Sequence, residues 1–226
     1  MAILQNEVLR PITTYVAMAA RISALITTIL LLILSLHYKG GLSLYSNNPS
    51  LIINCHMMIM FIGFIYVFGE AIMAYKNIPG PRKARKAIHG FLHLFALSMC
   101  IFGVYVAFKF HNKASVPDMY TLHSWLGMIT ICLFGIQWLF GVCTFGYPKI
   151  PLQTRVMAKP WHIFAGLTIF ILALCTAETG LMQTAVVPGT EATMIIFTAL
   201  GIIAFGFAVC LCILLPRLIH IQTSIV

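Results

Sequence analysis

The chain has 226 residues, 61% of them hydrophobic and only 8% charged, with a formal net charge of +9. A soluble domain carries about 25% charged residues, so this composition excludes a soluble globular protein and describes an integral membrane one. The positive charge has no aromatic or motif context that would make it a nucleic-acid surface.

A membrane-spanning helix needs about 20 mostly apolar residues, and six runs qualify: Thr14–Leu36, Leu51–Tyr75, Ala87–Phe108, Tyr120–Thr144, His162–Thr184 and Thr193–Leu215. The first is too long for a signal-peptide core and has no small-residue cleavage site, so it reads as a retained span. Arg21 within it is placed to snorkel towards the cytoplasmic face. The turn around Lys39-Gly40-Gly41 and Asn47-Asn48-Pro49 leads to the second run, with His56 near its start and Glu70 near its end. Glu70 reads as a hydrogen-bonding or charge partner near the basic cluster that follows. After Ile78-Pro79-Gly80-Pro81, the third run carries His89 and His93, four residues apart and so on one helical face. That spacing invites a shared-metal reading. Val116-Pro117-Asp118 precedes the fourth run, which holds His123 and Gln137. Tyr147-Pro148 and Pro151 precede the fifth, which opens on His162 and contains Glu178. Val187-Pro188-Gly189 leads to the sixth. The connections leave no room for a separate soluble domain, so residues 1–226 read as one transmembrane domain. Seven scattered cysteines read as small buried hydrophobes. Tyr38, Trp125, Tyr147 and Trp161 fit an interfacial belt, and His37 and His220 read as interfacial.

Charge placement gives the orientation. Lys76, Arg82, Lys83, Arg85 and Lys86 separate runs two and three; Lys149, Arg155 and Lys159 separate runs four and five; Arg10 and Arg217 flank the whole. With six spans all of these fall on one side, opposite Lys39, Lys109, Lys113, Asp118 and Glu191. The positive-inside rule makes the rich side cytoplasmic, with both termini there.

Depth then sorts four histidines. His56, His89, His123 and His162 each lie near the start of spans two to five, and consecutive spans run in opposite directions. His56 and His123 are thus paired near the non-cytoplasmic face, and His89 and His162 near the cytoplasmic face. Polar groups at membrane depth face the bundle interior, and two imidazoles from opposite helices suit the axial positions of a haem iron or another metal. Two such haems would place their irons about 20 Å apart across a hydrocarbon core of about 30 Å. The competing structural role for each histidine is a hydrogen-bonded interfacial side chain.

The stretches H-Y-K-G-G-L (His37–Leu42), K-F-H-N (Lys109–Asn112), Y-T-L-H-S-W-L-G (Tyr120–Gly127) and K-P-W-H-I-F-A-G (Lys159–Gly166) resemble the cytochrome b561 family. These are ascorbate-dependent transmembrane oxidoreductases with six spans and two haems. The resemblance runs from about Arg21 to Met182, and Gly40–Asn48 and Phe68–Lys76 are most similar to plant members. It implies an all-α integral membrane fold, with helices two to five forming a four-helix core around two b-type haems. His56 and His123 match the ligands of the non-cytoplasmic haem, and His89 and His162 those of the cytoplasmic one. His93 is then not required as a ligand and reads as a hydrogen-bonding neighbour beside the haem or a side chain packed near it. Family members commonly have proline directly after the first ligand, where this chain has Met57.

The same resemblance places the ascorbate donor beside Arg82, Lys86 and Arg155, at seven and three residues before His89 and seven before His162. An arginine fork can bind ascorbate oxygens in pairs. Lys83, Arg85 and Lys159 read as topology charges or propionate partners. His111 matches a family histidine at the acceptor site, with Asn112, Lys109 and Tyr120 expected beside it. Lys39 would balance an outer-haem propionate or anchor helix one, and Trp125 would contact the outer haem or the interface. The implied function is electron transfer from cytoplasmic ascorbate to monodehydroascorbate or a ferric chelate on the other side, making the chain a ferric reductase. Family members occur in vacuolar, other endomembrane or plasma membranes, often as homodimers. The rival class is a histidine-bearing metal-ion or proton transporter, which calls for polar residues near the midplane and interrupted helices. A haem-binding sensor without turnover is a third reading.

Overall fold

The computed structural model describes residues 2–146, 150–184 and 188–225, with backbone alone for 2–10 and 216–225. The expected roles of Arg10, Tyr147, Lys149, Arg217 and His220 therefore fall outside the described residues. Every regular element described is helical: α1 (Ala2–Ile33), α2 (Pro49–Met58), α3 (Val67–Asn77), α4 (Arg82–Ala114), α5 (Leu122–Gly141), α6 (Leu152–Thr184) and α7 (Thr190–Ile225). π-Helical segments extend α1 over Leu34–Tyr38 and α5 over Val142–Gly146, and a third, Ile59–Tyr66, joins α2 to α3. The result is six helices long and apolar enough to cross a bilayer: Pro11–Tyr38, Pro49–Asn77, Arg82–Ala114, Leu122–Gly146, Leu152–Thr184 and Thr190–Leu215. A lipid environment admits little else, because every backbone amide must find its partner within the segment.

The helix ends follow local chemistry. Asn48 caps α2 by accepting from the Ser50 amide at 3.0 Å, with Pro49 at the first helical position where its missing N–H is no loss. Thr121 caps α5 through the Ser124 amide. Ser115, left-handed at φ 55°, closes α4, with its amide bonded to the Asn112 carbonyl. Gly40 and Gly41, at φ 82° and 123°, make the turn after α1. Asn54 lies fully buried beneath that turn and donates to the Lys39 and Gly41 carbonyls at 3.2 and 2.8 Å.

Two boundaries correct the sequence expectation. α6 begins ten residues before His162, because Arg155 and Lys159 interrupt the hydropathy but not the helix. His56 likewise lies seven residues inside α2, whose start is set by Asn48 and Pro49. Met57 is therefore an ordinary helix-interior residue, and the helix needs no proline there.

The second span sits against α4 on one side and α7 on the other, with α5 and α6 completing the ring around the sites. α1 and α7 lie along each other outside α3 and α6, in close approach: a Cβ on Gly201 would stand 2.3 Å from the Thr27 hydroxyl oxygen. Arg21 does not simply snorkel. Its Nε and Nη2 donate to the two Glu70 oxygens at 2.9 Å each, tying α1 to α3. Glu70 thus finds its charge partner on α1 and not in the basic cluster, because α1 packs beside it. The cysteines also differ from expectation: Cys100 and Cys212 are buried, but Cys132, Cys143 and Cys175 face outwards, and all seven are free. An outward position on a membrane bundle meets lipid, where a thiol is tolerated as readily as in a core.

Candidate functional site

The centre of the bundle is aromatic. The Phe68 ring lies 4.5 Å from Phe134 and 5.1 Å from Phe170, with Phe64 5.2 Å from Phe134. All four are buried. This packed layer separates two histidine pairs, one towards each end.

At one end the rings of His56 (α2) and His123 (α5) have centroids 6.2 Å apart and planes at 88°. At the other, His89 (α4) and His162 (α6) are 6.3 Å apart at 69°. Imidazole binds first-row metals at about 2.0 Å, and Nε2 lies about 1.1 Å from the ring centre, so two rings on opposite sides of one iron would stand about 6.2 Å apart. Both pairs have that spacing.

The other ring nitrogens are anchored. Nδ1 of His56 meets the Gly103 carbonyl at 2.8 Å, that of His89 the Ala71 carbonyl at 2.7 Å, and that of His123 the Thr176 carbonyl at 2.8 Å. A carbonyl only accepts, so each Nδ1 carries the proton and each Nε2 keeps a free lone pair, the form that ligates metal. His162 is held differently, by the Gln137 side-chain amide at 2.9 Å from Nδ1. Glycines make the room: a Cβ on Gly180 would stand 2.7 Å from His123 Cε1, and one on Gly141 3.1 Å from His162 Cε1.

A bare ion would find too few ligands here. Among the described residues no three of His, Cys, Asp and Glu gather as a metal site. A haem iron already holds four porphyrin nitrogens and needs only the two axial ones that each pair offers, so the donor set fits haem.

His93 is half-buried and edge-on to His89, centroids 4.4 Å apart, with Phe68 and Phe134 also against its ring. Its Nδ1 has no hydrogen-bond partner. The two histidines of the i, i+4 pair thus touch, but His89 is paired with His162. Two neighbours of the pairs, Gln137 and Trp138, carry no site signal in the sequence alone. Gln137 was visible only as a polar residue within a span, although it lies 14 residues after His123 and so nearly four turns along the same helical face. Trp138 donates from Nε1 to the Gly90 carbonyl at 3.1 Å, bracing α5 against α4 beside His89.

The residues expected at the cytoplasmic end converge on the connection between α5 and α6. Lys86 donates from Nζ to the Phe145 carbonyl, and the Phe145 ring lies 5.2 Å from His162. Arg155 donates from Nε and Nη2 to the Ile150 carbonyl at 2.9 and 2.6 Å. Arg82 is exposed in the first turn of α4. Arg85 turns inwards and donates to the Tyr75 carbonyl at 3.0 Å.

At the opposite end the last turn of α4 divides the expected cluster. His111 Nδ1 lies 2.8 Å from Asp118 Oδ1, with the Tyr120 ring 6.3 Å away. Asn112 and Lys109 face elsewhere, lining a cavity of about 410 Å³ with Lys113, Tyr45, Ser46 and Ile52. Residues one apart on a helix differ by about 100° in direction, which is why neighbours in sequence part here. Lys39 pairs with Glu191 at 2.7 Å, tying the end of α1 to α7. Trp125 is 56% exposed on the outer face of α5. Glu178 has one buried carboxylate oxygen without a partner.

A bundle of six bilayer-length helices among the described residues, with a pair of facing imidazoles towards each end, defines the class, an all-α integral membrane protein. Comparison with known sequences gives the family. The model of eukaryotic cytochrome b561 matches residues 55–188. A Zea mays protein described as ascorbate-specific transmembrane electron transporter 1 is 38% identical over 212 residues, covering 90% of this chain and 89% of its own. Transmembrane ascorbate ferrireductase 1 of Arabidopsis thaliana is 39% identical over 199 residues, 84% of this chain and 83% of its own. Transmembrane ascorbate ferrireductase 2 of the same plant is 40% identical over 166 residues, 74% and 72%. The chain belongs to the cytochrome b561 family, which implies haem b.

Proposed function

We propose that this chain is an ascorbate-dependent transmembrane oxidoreductase holding two haems b. His89 and His162 bind the one near the cytoplasmic face, and His56 and His123 the one near the opposite face. The observation that carries this reading is the ring spacing of 6.2 and 6.3 Å in two pairs at opposite ends of one bundle. Haem b supplies the one-electron redox chemistry that the side chains lack.

The chain's own residues do the rest. Ascorbate is an anion at neutral pH, and Arg82, Lys86 and Arg155 give the cytoplasmic mouth the charge to attract it. Lys86 and Arg155 hold the α5–α6 connection, whose Phe145 ring lies against His162. The acceptor on the other side, monodehydroascorbate or a ferric chelate, meets His111, which Asp118 orients, with Tyr120 beside it. Asn112 and Lys109 serve the adjoining cavity. No proton need cross the bilayer, so turnover moves charge. Both termini face the cytoplasm by the placement of the basic residues, and the host membrane is vacuolar, another endomembrane or the plasma membrane.

The transporter reading requires polar groups at the midplane. That position is filled by Phe64, Phe68, Phe134 and Phe170, which favours the electron carrier.

A reduced-minus-oxidised spectrum of the purified protein, with haem counted per chain, tests the core of the reading. Two low-spin haems per chain are expected; one, or none, overturns it. Replacing Arg82 and Lys86 together with glutamine slows reduction by ascorbate more than reduction by a small neutral reductant. Equal slowing by both removes the donor site from these residues.

A further inference from the structure

The cavity of about 410 Å³ lies at the end of the bundle that holds His56 and His123, and three elements wall it: α4 with Lys109, Asn112 and Lys113, the α1–α2 connection with Tyr45 and Ser46, and α2 with Ile52. Lys109, Asn112 and Lys113 share one face of α4 by their spacing of three and four. α4 has 33 residues and so is about 50 Å long, against a hydrocarbon core of about 30 Å, and its last turns stand outside that core.

The charge of the two lysines is uncompensated. Lys109 Nζ lies 4.3 Å from the centre of the Tyr45 ring, and Lys113 Nζ donates to Asn47 Oδ1 at 2.9 Å. Both partners are neutral. Among the described residues the ion pairs are Arg21–Glu70, Lys39–Glu191 and His111–Asp118, and neither lysine takes part. Nor do they serve the end of the helix: the carbonyls of His111 and Asn112 accept from the amides of Val116 and Ser115. Ser46 Oγ accepts from the Asn48 amide at 3.0 Å, which leaves its O–H to donate. Every polar side chain lining the cavity can therefore donate a hydrogen bond, and no carboxylate lines it. Two like charges one helical turn apart oppose each other, and a shared anion would remove that opposition.

We propose that this cavity docks a polycarboxylate anion, the organic shell of a ferric chelate, with Lys109 and Lys113 as its charge partners. The anion site stands on the lining groups alone; its link to iron rests on the acceptor reading given above. The volume is in the range of small-ligand pockets, about 300–1,000 Å³. Ile52 lies one turn before His56 on α2, and Gly103, whose carbonyl holds His56, lies six residues before Lys109 on α4, so the cavity shares two helices with the outer histidine pair. The two faces of the last turn of α4 then divide ligands by charge. A multiply charged anion is attracted by the lysine pair and repelled by the Asp118 carboxylate beside His111.

The test is binding, which needs no turnover: isothermal titration of the purified holoprotein in non-ionic detergent with citrate and with redox-inert gallium(III) citrate. Saturable binding at one site is expected, weakened by added salt. Lys109→Gln with Lys113→Gln is expected to lower affinity about tenfold or more, since each lysine supplies a charge-assisted hydrogen bond. Arginine at both positions is expected to retain binding, and His111→Gln to leave it unchanged. No saturable binding, equal affinity in the double glutamine variant, loss of binding in His111→Gln, or displacement of citrate by ascorbate at equal concentration overturns the proposal. A second measurement uses the unaltered chain: gallium citrate is expected to protect Lys109 and Lys113 from an amine-acetylating reagent, read by mass spectrometry, and not Lys39, which Glu191 already pairs. Equal protection of all three, or of none, overturns it as well. Citrate binding in a chain found to hold no haem would leave the anion site standing and remove the acceptor reading.

Discussion

The glycine facing each histidine pair gives a quantitative handle on the sites. In Gly180→Ala the new Cβ stands 2.7 Å from His123 Cε1 and 2.9 Å from Nδ1. Carbon–carbon contact prefers about 3.5 Å, so the ring must retreat by about 0.8 Å. Gly180 and the Thr176 carbonyl that holds Nδ1 both belong to α6, so retreat from one lengthens the bond to the other. The 2.8 Å hydrogen bond would open to roughly 3.6 Å, beyond useful range. Overpacking costs about 1–3 kcal/mol and the lost hydrogen bond about 1 kcal/mol. Together they weaken retention of the outer haem roughly 30- to 1,000-fold, at 1.36 kcal/mol per factor of ten. Gly141→Ala faces His162 at 3.1 Å and asks for only a few tenths of an ångström. It acts on the inner haem, and more mildly. The assay is haem content per chain combined with redox titration, so that each haem is the control for the other. Loss of the inner haem in Gly180→Ala, equal loss of both, or a larger effect from Gly141→Ala would refute the geometry.

His93→Leu is expected to keep both haems, because its Nδ1 has no partner to lose, whereas His89→Leu loses the inner one; haem-resolved spectra of the two variants check this. Breaking the Arg21–Glu70 pair strands a charged partner within the span. Arg21→Met or Glu70→Gln should each lower stability by about 1–3 kcal/mol, and the double variant by less than the sum, measured as thermal unfolding in detergent. Lys39→Gln removes the contact with Glu191 and costs about 1 kcal/mol or less, with the outer-haem potential unchanged; a clear shift in that potential would make Lys39 a haem partner.

Much of the site was legible before any packing was known. The pairing of His56 with His123 and of His89 with His162 follows from depth and alternating span direction. The i, i+4 spacing of His89 and His93 reports a common helical face but says nothing of what stands opposite, and span direction sets His89 against His162 instead. Arg21 and Glu70 were each visible as charges inside a span, yet their bidentate contact joins residues 49 apart in sequence. Lys109, His111 and Asn112 form one motif in the chain and face two different surfaces on the helix. Hydropathy puts the start of α6 ten residues late because it marks the bilayer, whereas the helix continues through Arg155 and Lys159.

What the sequence by itself determined was the depth of each polar residue along its span and which histidines share an end of the bundle. A bilayer forces each apolar run of sufficient length into a helix, reverses its direction at every connection, and holds the excess of lysine and arginine on one side. The rotation of each helix about its own axis was decided only in the tertiary structure. It depends on which small residue lets which neighbour approach: Gly180 before His123, Gly141 before His162, Gly166 before Gln137. Rotation sets the ring separation near 6.3 Å and turns Nδ1 of each histidine onto its anchor, because an imidazole within reach of a partner is useless until the packing around it fixes its direction.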